Sequence, residues 1–297
     1  MEISAKILTP EDDFISRNIE DYPEGIIIPI NKPYRWTSAD VIRKVKFAAI
    51  RHFGKKKLKV GHAGTLDPLA TGILLVCIGN ATKLAERLQS HHKEYIAGVT
   101  FGATTPSYDL EKEIDRFFPY EHITEESVAD ALPSFIGEQD QIAPLFSAKS
   151  VDGVRAYELA RKLYKADGSL DEAARELIRV SRINITGLEL MEFTPGNGED
   201  GRLKNTPPAT CGQDGSTVSA ASGRINVTDN SSLGLPRAVV RIACSKGTYV
   251  RAFARDLGEA LGSGAHLDSL QRSGSGIFRV ENALTVEETT DIFRIHL

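Results

Sequence analysis

The longest unbroken apolar run in the chain is Ile73 to Ile78, six residues between a glycine and a glycine. Six is far short of the ~20 needed to cross a bilayer as a helix. It fits a strand covered on both faces, so the fold must hold a sheet with something packed above and below it. At 297 residues the chain is long enough to build such a core without disulfide or metal staples. Cys77, Cys211 and Cys244 are odd in number and far apart, so neither a disulfide framework nor a zinc ribbon is readable. Met1 to Asp13 has acids and no apolar centre, unlike a signal peptide. A reducing cytoplasm is the expected compartment, and no membrane partner is expected.

Around that run the two hydrophobic periods mix. Gly25 to Ile30 reads as a short apolar strand. Ser38 is placed to cap a helix whose Val41, Ile42, Val45, Ala48 and Ala49 recur at helical spacing, with Gly54 as its stop. Asn80 to Ser90, Thr124 to Phe135, Val154 to Lys165 and Tyr249 to Leu261 read as helices. Tyr95 to Phe101, Val180 to Phe193, Arg237 to Cys244 and Gly276 to Val280 read as strands. Strands and helices do not alternate strictly, which points to an α+β fold, a mixed and mainly antiparallel sheet flanked by helices.

Two segments stand out in composition. Arg43 to His62 carries eight Lys or Arg and no Asp or Glu, within a chain of net charge −4. Such a local strip can hold a polyanion whatever the total, and it can equally be a solvated face. Thr194 to Pro236 has no aromatic, and 28 of its 43 residues are Gly, Pro, Ser, Thr, Asn or Asp. It buries too little apolar surface to offset its ordering entropy, so a flexible, exposed insertion at 194–236 is expected between two strands. The Asn-x-Ser/Thr triplets at Asn226 and Asn230 read as chance matches.

The stretch richest in chemistry is Gly61-His62-Ala63-Gly64-Thr65-Leu66-Asp67-Pro68-Leu69-Ala70-Thr71-Gly72. Glycines and a proline fix an irregular backbone with one acid at its centre. A carboxylate on a stiff loop beside basic residues can serve as nucleophile or base. An Asp-Pro turn is also common in any protein. The pattern matches neither GxxxxGK[ST] nor GxGxxG, so a phosphate-gripping loop has little support.

This stretch, continued through Ile73 to Lys83, resembles the catalytic block of the bacterial tRNA pseudouridine synthase B family. Further blocks follow in order: Ile30-Asn31-Lys32-Pro33 with Trp36-Thr37-Ser38; Lys93-Glu94-Tyr95; Ser245 to Arg251 with Asp256-Leu257-Gly258; and Gly264 to Leu267. The resemblance implies a pseudouridine synthase fold, a single catalytic domain over 1–297, and conversion of uridine to pseudouridine at position 55 in the T loop of tRNA. No cofactor and no metal are implied. Position by position, Asp67 matches the catalytic aspartate, acting on the ribose either by covalent attack or by proton removal. Arg251 matches the arginine that pairs with it. Tyr95 matches the tyrosine that stacks on the flipped uracil, and Tyr249 and Leu270 match residues lining the pocket. His62 matches the histidine that fills the space the flipped nucleotide leaves, and Lys32 matches the lysine supporting the aspartate loop.

Extrusion of a base costs a few kcal/mol, which an aromatic wall and a substitute wedge offset. In Ala103 to Glu111, Asp109 fits the family pattern while Pro106, Tyr108 and Glu111 depart from it. The short tail after Val280 leads one to expect no C-terminal PUA domain. The expected partner is the T stem-loop of tRNA, met by a monomer without an obligatory protein partner. An RNA-folding chaperone and a guide-RNA-dependent synthase are the alternatives.

Overall fold

The apolar run becomes part of a nine-residue strand, Ala70–Ile78, buried at every position. In this computed structural model, residues 3–144, 150–151, 154–155, 180–197 and 225–294 are described. In chain order the strands are β1 (Lys6–Ile7), β2 (Ile26–Lys32), β3 (Val60–His62), β4 (Ala70–Ile78), β5 (Lys93–Phe101), β6 (Ala103–Thr104), β7 (Arg116–Phe117), β8 (Gly137–Ile142), β9 (Ser150–Val151), β10 (Val154–Arg155), β11 (Val180–Thr194), β12 (Arg237–Cys244), β13 (Ala265–Ser275) and β14 (Phe278–Arg279). The α-helices are α1 (Ser38–Phe53), α2 (Ala85–Gln89), α3 (Glu125–Ala131), α4 (Val250–Ala260) and α5 (Val286–Ile292). The described residues fall into two compact units.

The first unit holds residues 3–96, Ile225 and 270–294, with strand order β1-β2-β4-β13-β5. Strand β4 is its axis. β2 pairs antiparallel along it from Ile26↔Ile78 to Lys32↔Gly72. Its remaining pairing is divided: β3 runs antiparallel at Val60↔Ile78, Gly61↔Cys77 and His62↔Val76, and β13 runs parallel at Leu270↔Ala70, Gln271↔Thr71 and Arg272↔Gly72. The chain between β3 and β4 therefore emerges where one pairing ends and the other begins, and this is the segment that carries Asp67. Helix α1 buries Val41, Val45, Ala49 and His52. At its end, Phe53 and His52 meet Phe293, after α5, edge to face at 6.0 and 5.5 Å.

The second unit holds the described residues of 97–197 and 226–269, with order β13-β5-β12-β11-β8. β11 pairs antiparallel with β12 from Ile185↔Cys244 to Thr194↔Arg237, with two register shifts, and with β8 from Val180↔Ile142 to Ile185↔Gly137. A buried ion pair fastens β12 to β13: Arg237 Nε and Nη2 reach the Asp268 carboxylate at 2.7 and 2.9 Å. Thr100 on β5 donates to the same carboxylate at 2.8 Å. The pairings are mainly antiparallel, with parallel exceptions at β1–β2 and β4–β13, as an α+β fold requires.

Local structure departs from the sequence reading in several places. Thr37, not Ser38, is the N-cap of α1; it forms a capping box with Asp40, which frees the Ser38 hydroxyl for another task. Residues 79–84 are a 3₁₀ helix before the short α2. Helix α3 stops at Ala131 and a 3₁₀ turn containing Pro133 follows, since proline has no N–H to continue the ladder. The helix expected over Val154 to Lys165 lies outside the described residues except for 154–155, which are strand β10. Of the expected insertion, 198–224 also lies outside them. Its C-terminal flank is not loose: Thr228 N–H donates to Leu110 O at 2.9 Å, and Leu235 and Pro236 are buried. Cys77 and Cys244 are buried; Cys211 lies outside the described residues. No described helix is long and apolar enough to cross a membrane.

Candidate active site

Asp67 begins a tight turn. The Ala70 N–H donates to the Asp67 carbonyl at 3.1 Å, with Asp and Pro at the two positions such turns favour. Asp67 itself is half-buried. The turn is gripped through main-chain atoms on either side. The Ser38 hydroxyl accepts from Leu66 N–H at 3.0 Å and donates to Leu66 O at 3.2 Å. The Pro68 carbonyl accepts from Arg35 N–H at 3.0 Å and from Lys32 Nζ at 3.2 Å.

Lys32 is fully buried. Its ammonium donates to three carbonyls: Pro33 at 2.9 Å, Trp36 at 2.6 Å and Pro68. Burial pulls its pKa down to about 7; the Asp67 carboxylate opposes that shift and Arg272 adds to it. Its contact with the Pro68 carbonyl places the ammonium on the residue directly after Asp67.

Arg272 is a further member of the site that the sequence does not mark. It is 2% exposed, and its fork spans both ends of the loop. Nε donates to Ile73 O at 2.7 Å, Nη2 to Gly64 O at 3.2 Å and Nη1 to Thr65 O at 3.4 Å. Two glycines make this possible. Gly64 has φ +99°, and a Cβ on Gly72 (φ +95°) would lie 2.3 Å from the Arg272 carbonyl. Nothing in the run Leu270-Gln271-Arg272 singles out the arginine; the only clue is its place two residues beyond Leu270.

His62 ends β3 and is half-buried. Burial, then the Arg272 charge, push its pKa below the usual value, both disfavouring the charged ring. Leu270 lies opposite Ala70 and is half-buried, where the sequence alone would make it plain core. Tyr95 is buried on β5, directly after Glu94, whose carboxylate accepts from Ser273 on β13 at 2.8 Å. Lys93 in the same block has another duty. Its ammonium donates to Gln89 O at 2.9 Å and His91 O at 2.7 Å, satisfying carbonyls at the end of α2. Lys32, His62, Asp67, Tyr95 and Leu270 thus all belong to the first unit.

Arg251 and Tyr249 belong to the second. Taken alone, a helix arginine would be a surface residue; Arg251 is instead 4% exposed. Its Nη1 donates to Ser107 O at 3.1 Å and lies 3.7 Å from the Asp109 carboxylate. Asp109 also accepts from Ser107 Oγ at 2.6 Å and Glu111 N–H at 2.9 Å. Tyr249 is half-buried, and its backbone is held by the Gln141 amide in both directions, at 2.8 and 3.1 Å. Among the described residues no group of three His, Cys, Asp or Glu could hold a metal.

The fold around these residues is that of the pseudouridylate synthases. Residues 51–195 match the TruB family pseudouridylate synthase N-terminal domain, and residues 251–296 match the tRNA pseudouridylate synthase B C-terminal domain. Among relatives, a tRNA pseudouridine synthase B of Phocaeicola vulgatus is 45% identical over 90% of this chain and 92% of its own. That of Deinococcus radiodurans is 36% identical over 89% and 78%. The chain belongs to the tRNA pseudouridine synthase B family. Solved structures of similar fold include a Cbf5-Nop10-Gar1 complex (TM-score 0.55, 22% identity, 97% of this chain and 60% of that one). Another is an H/ACA RNP bound to a substrate RNA containing 2'-deoxyuridine (TM-score 0.52, 20% identity, 90% and 53%). The chain spans little more than half of those two chains.

Proposed function

We propose that this protein converts uridine to pseudouridine in tRNA, at position 55 of the T loop, with Asp67 as the catalytic carboxylate. The reaction breaks the N1–C1′ bond, turns the ring and joins C5 to C1′; the C5 proton leaves and N1 regains one, so no redox partner is needed. Asp67 acts at the ribose, by attack or by proton removal. Tyr95 stacks on the extruded uracil, Leu270 lines the base and His62 fills the gap left in the RNA, while Arg251 and Tyr249 carry the arginine and pocket roles that the resemblance implies. Lys32 supports the loop.

The observation that carries this reading is the half-exposed Asp67 in a turn whose neighbours are locked by Ser38, Lys32 and Arg272. A fixed carboxylate within reach of solvent is what a reaction on an extruded nucleotide needs. Unmodified tRNA is incubated with the protein and with Asp67→Asn, alone and in buffer, and pseudouridine is mapped by position. Product at position 55 from the first and none from the second is expected; equal product from both overturns the role of Asp67. Activity on naked tRNA also excludes a guide RNA or an obligatory protein partner. A chaperone role would instead survive Asp67→Asn as undiminished tRNA refolding. The reading places the protein in the cytoplasm, acting as a monomer.

A further inference from the structure

We infer that the outward face of α1 and the loop after it form a phosphate-binding ridge for the RNA stem that adjoins the modified loop. The inference rests on the tRNA reading above and names a surface that reading does not use. At 100° per residue, the buried Val41, Val45, Ala49 and His52 occupy one side of α1, and Arg43, Lys44, Lys46, Phe47 and Arg51 are exposed around the other. After Gly54 the loop adds the exposed Lys55, Lys56, Lys57 and Lys59.

Two of these cations are neutralised: Arg43 by Asp40 and Lys55 by Glu20, each at 2.7 Å. Lys44, Lys46, Arg51, Lys56, Lys57 and Lys59 have no ion pair among the described residues. The face also carries Phe47, 64% exposed, with the Arg51 guanidinium 5.7 Å from its ring centre. The ring gives that cation a fixed station rather than a free chain.

Placement argues for RNA that leads into the site. The segment is tied to the Asp67 loop at both ends, through Ser38 to Leu66 and through β3, which continues from the loop into His62. Between those ties α1 is 16 residues long, about 24 Å at 1.5 Å per residue. A stem whose loop delivers a base to Asp67 must leave the site in some direction, and this cationic surface, six of whose eight charges have no ion pair among the described residues, is tied to the Asp67 loop. Backbone contacts of this kind hold register without reading sequence. An anionic membrane fits less well, because the apolar side of α1 is already buried and one phenyl ring is all it could insert.

The test uses Lys44→Gln/Lys46→Gln, Lys56→Gln/Lys57→Gln and Phe47→Ala in the full chain. Affinity for unmodified tRNA, and for a stem-loop of its T arm, is measured across a KCl series. The rate of pseudouridine formation at saturating RNA is followed in parallel. Each double variant is expected to bind both RNAs about tenfold more weakly. Its log–log salt slope should fall by roughly 1.5, because two phosphates are no longer neutralised. Phe47→Ala should weaken binding less. The rate at saturation should stay within twofold. Unchanged affinity and slope overturn the inference. So does weakening seen only with whole tRNA, which would move the surface to another arm, or binding of the ridge to phosphatidylserine vesicles in place of RNA. Product formed by the unaltered protein in the same reactions separates failure of this surface from failure of the function.

Discussion

Two aspartates sit at the centres of two irregular loops, and the fold treats them in opposite ways. Asp109 is buried, and its carboxylate is itself a fastener: it accepts from Ser107 Oγ and Glu111 N–H and lies 3.7 Å from Arg251. Asp67 is half-exposed, and its loop is fastened by other side chains gripping the main chain of Gly64, Thr65, Leu66 and Pro68. An acid that shapes a loop must sink its oxygens into that loop. A loop gripped through its main chain holds the backbone position of its acid from either side.

The contrast is broken most directly by removing each charge in turn. Asp67→Asn should slow pseudouridine formation by about 10²–10⁴-fold, the range for loss of a general base, with a smaller loss of stability than Asp109→Asn. Asp109→Asn should do the reverse in kind, costing about 3–5 kcal/mol of stability because the buried Arg251 loses the carboxylate charge 3.7 Å from it. If Asp67→Asn unfolds the protein and Asp109→Asn does not, the comparison is wrong.

A second test asks whether the main-chain grip matters to rate. Arg272→Met should lower the rate at saturating RNA about 10²-fold, as a displaced catalytic group does, while RNA affinity stays within a few-fold. Arg272→Lys keeps the charge but lacks the fork, and should recover only part of the rate. Ser38→Ala removes two bonds to Leu66 and should cost roughly 1–2 kcal/mol, read by urea unfolding, with a smaller loss of rate.

The smallest expected effect concerns Lys32. Its folded pKa, about 7, lies below the ~10.4 of an unfolded lysine. Between those values the unfolded chain binds more protons, so stability should rise with pH above 7 and lose that contribution as pH falls through 7. The buried Cys77 thiol, pushed up to about 12 by desolvation, works the other way once an unfolded thiol begins to ionise near 8.5. The informative window is therefore pH 7 to about 8.5. Urea midpoints there should climb for the unaltered protein and stay flatter for Lys32→Met.

Much of this was legible from residue order alone. Alternation marked β5, Gly54 stopped α1 where left-handed backbone was needed (φ +62°), and Gly61 to Gly72 marked the Asp67 turn. What stayed hidden depends on partners distant in sequence. Ser38 looks like a cap because Thr37 and Asp40 leave no trace of which residue wins until the box closes. Arg251 looks superficial on its own helix because Ser107 and Asp109 are more than 140 residues away. Arg272 sits among polar residues on a strand that gives no sign of being buried. The clamps around Asp67 are long-range events, which local periodicity does not encode.

Arg272 meets the carbonyls of Gly64 and Thr65 across 208 and 207 residues of chain. During synthesis, the stretch holding Asp67 leaves the ribosome long before β13 exists to grip it. Until that late strand docks beside β4, a nascent chain carries Asp67 in an unset turn, and the full grip on that turn arrives with one of the last strands made.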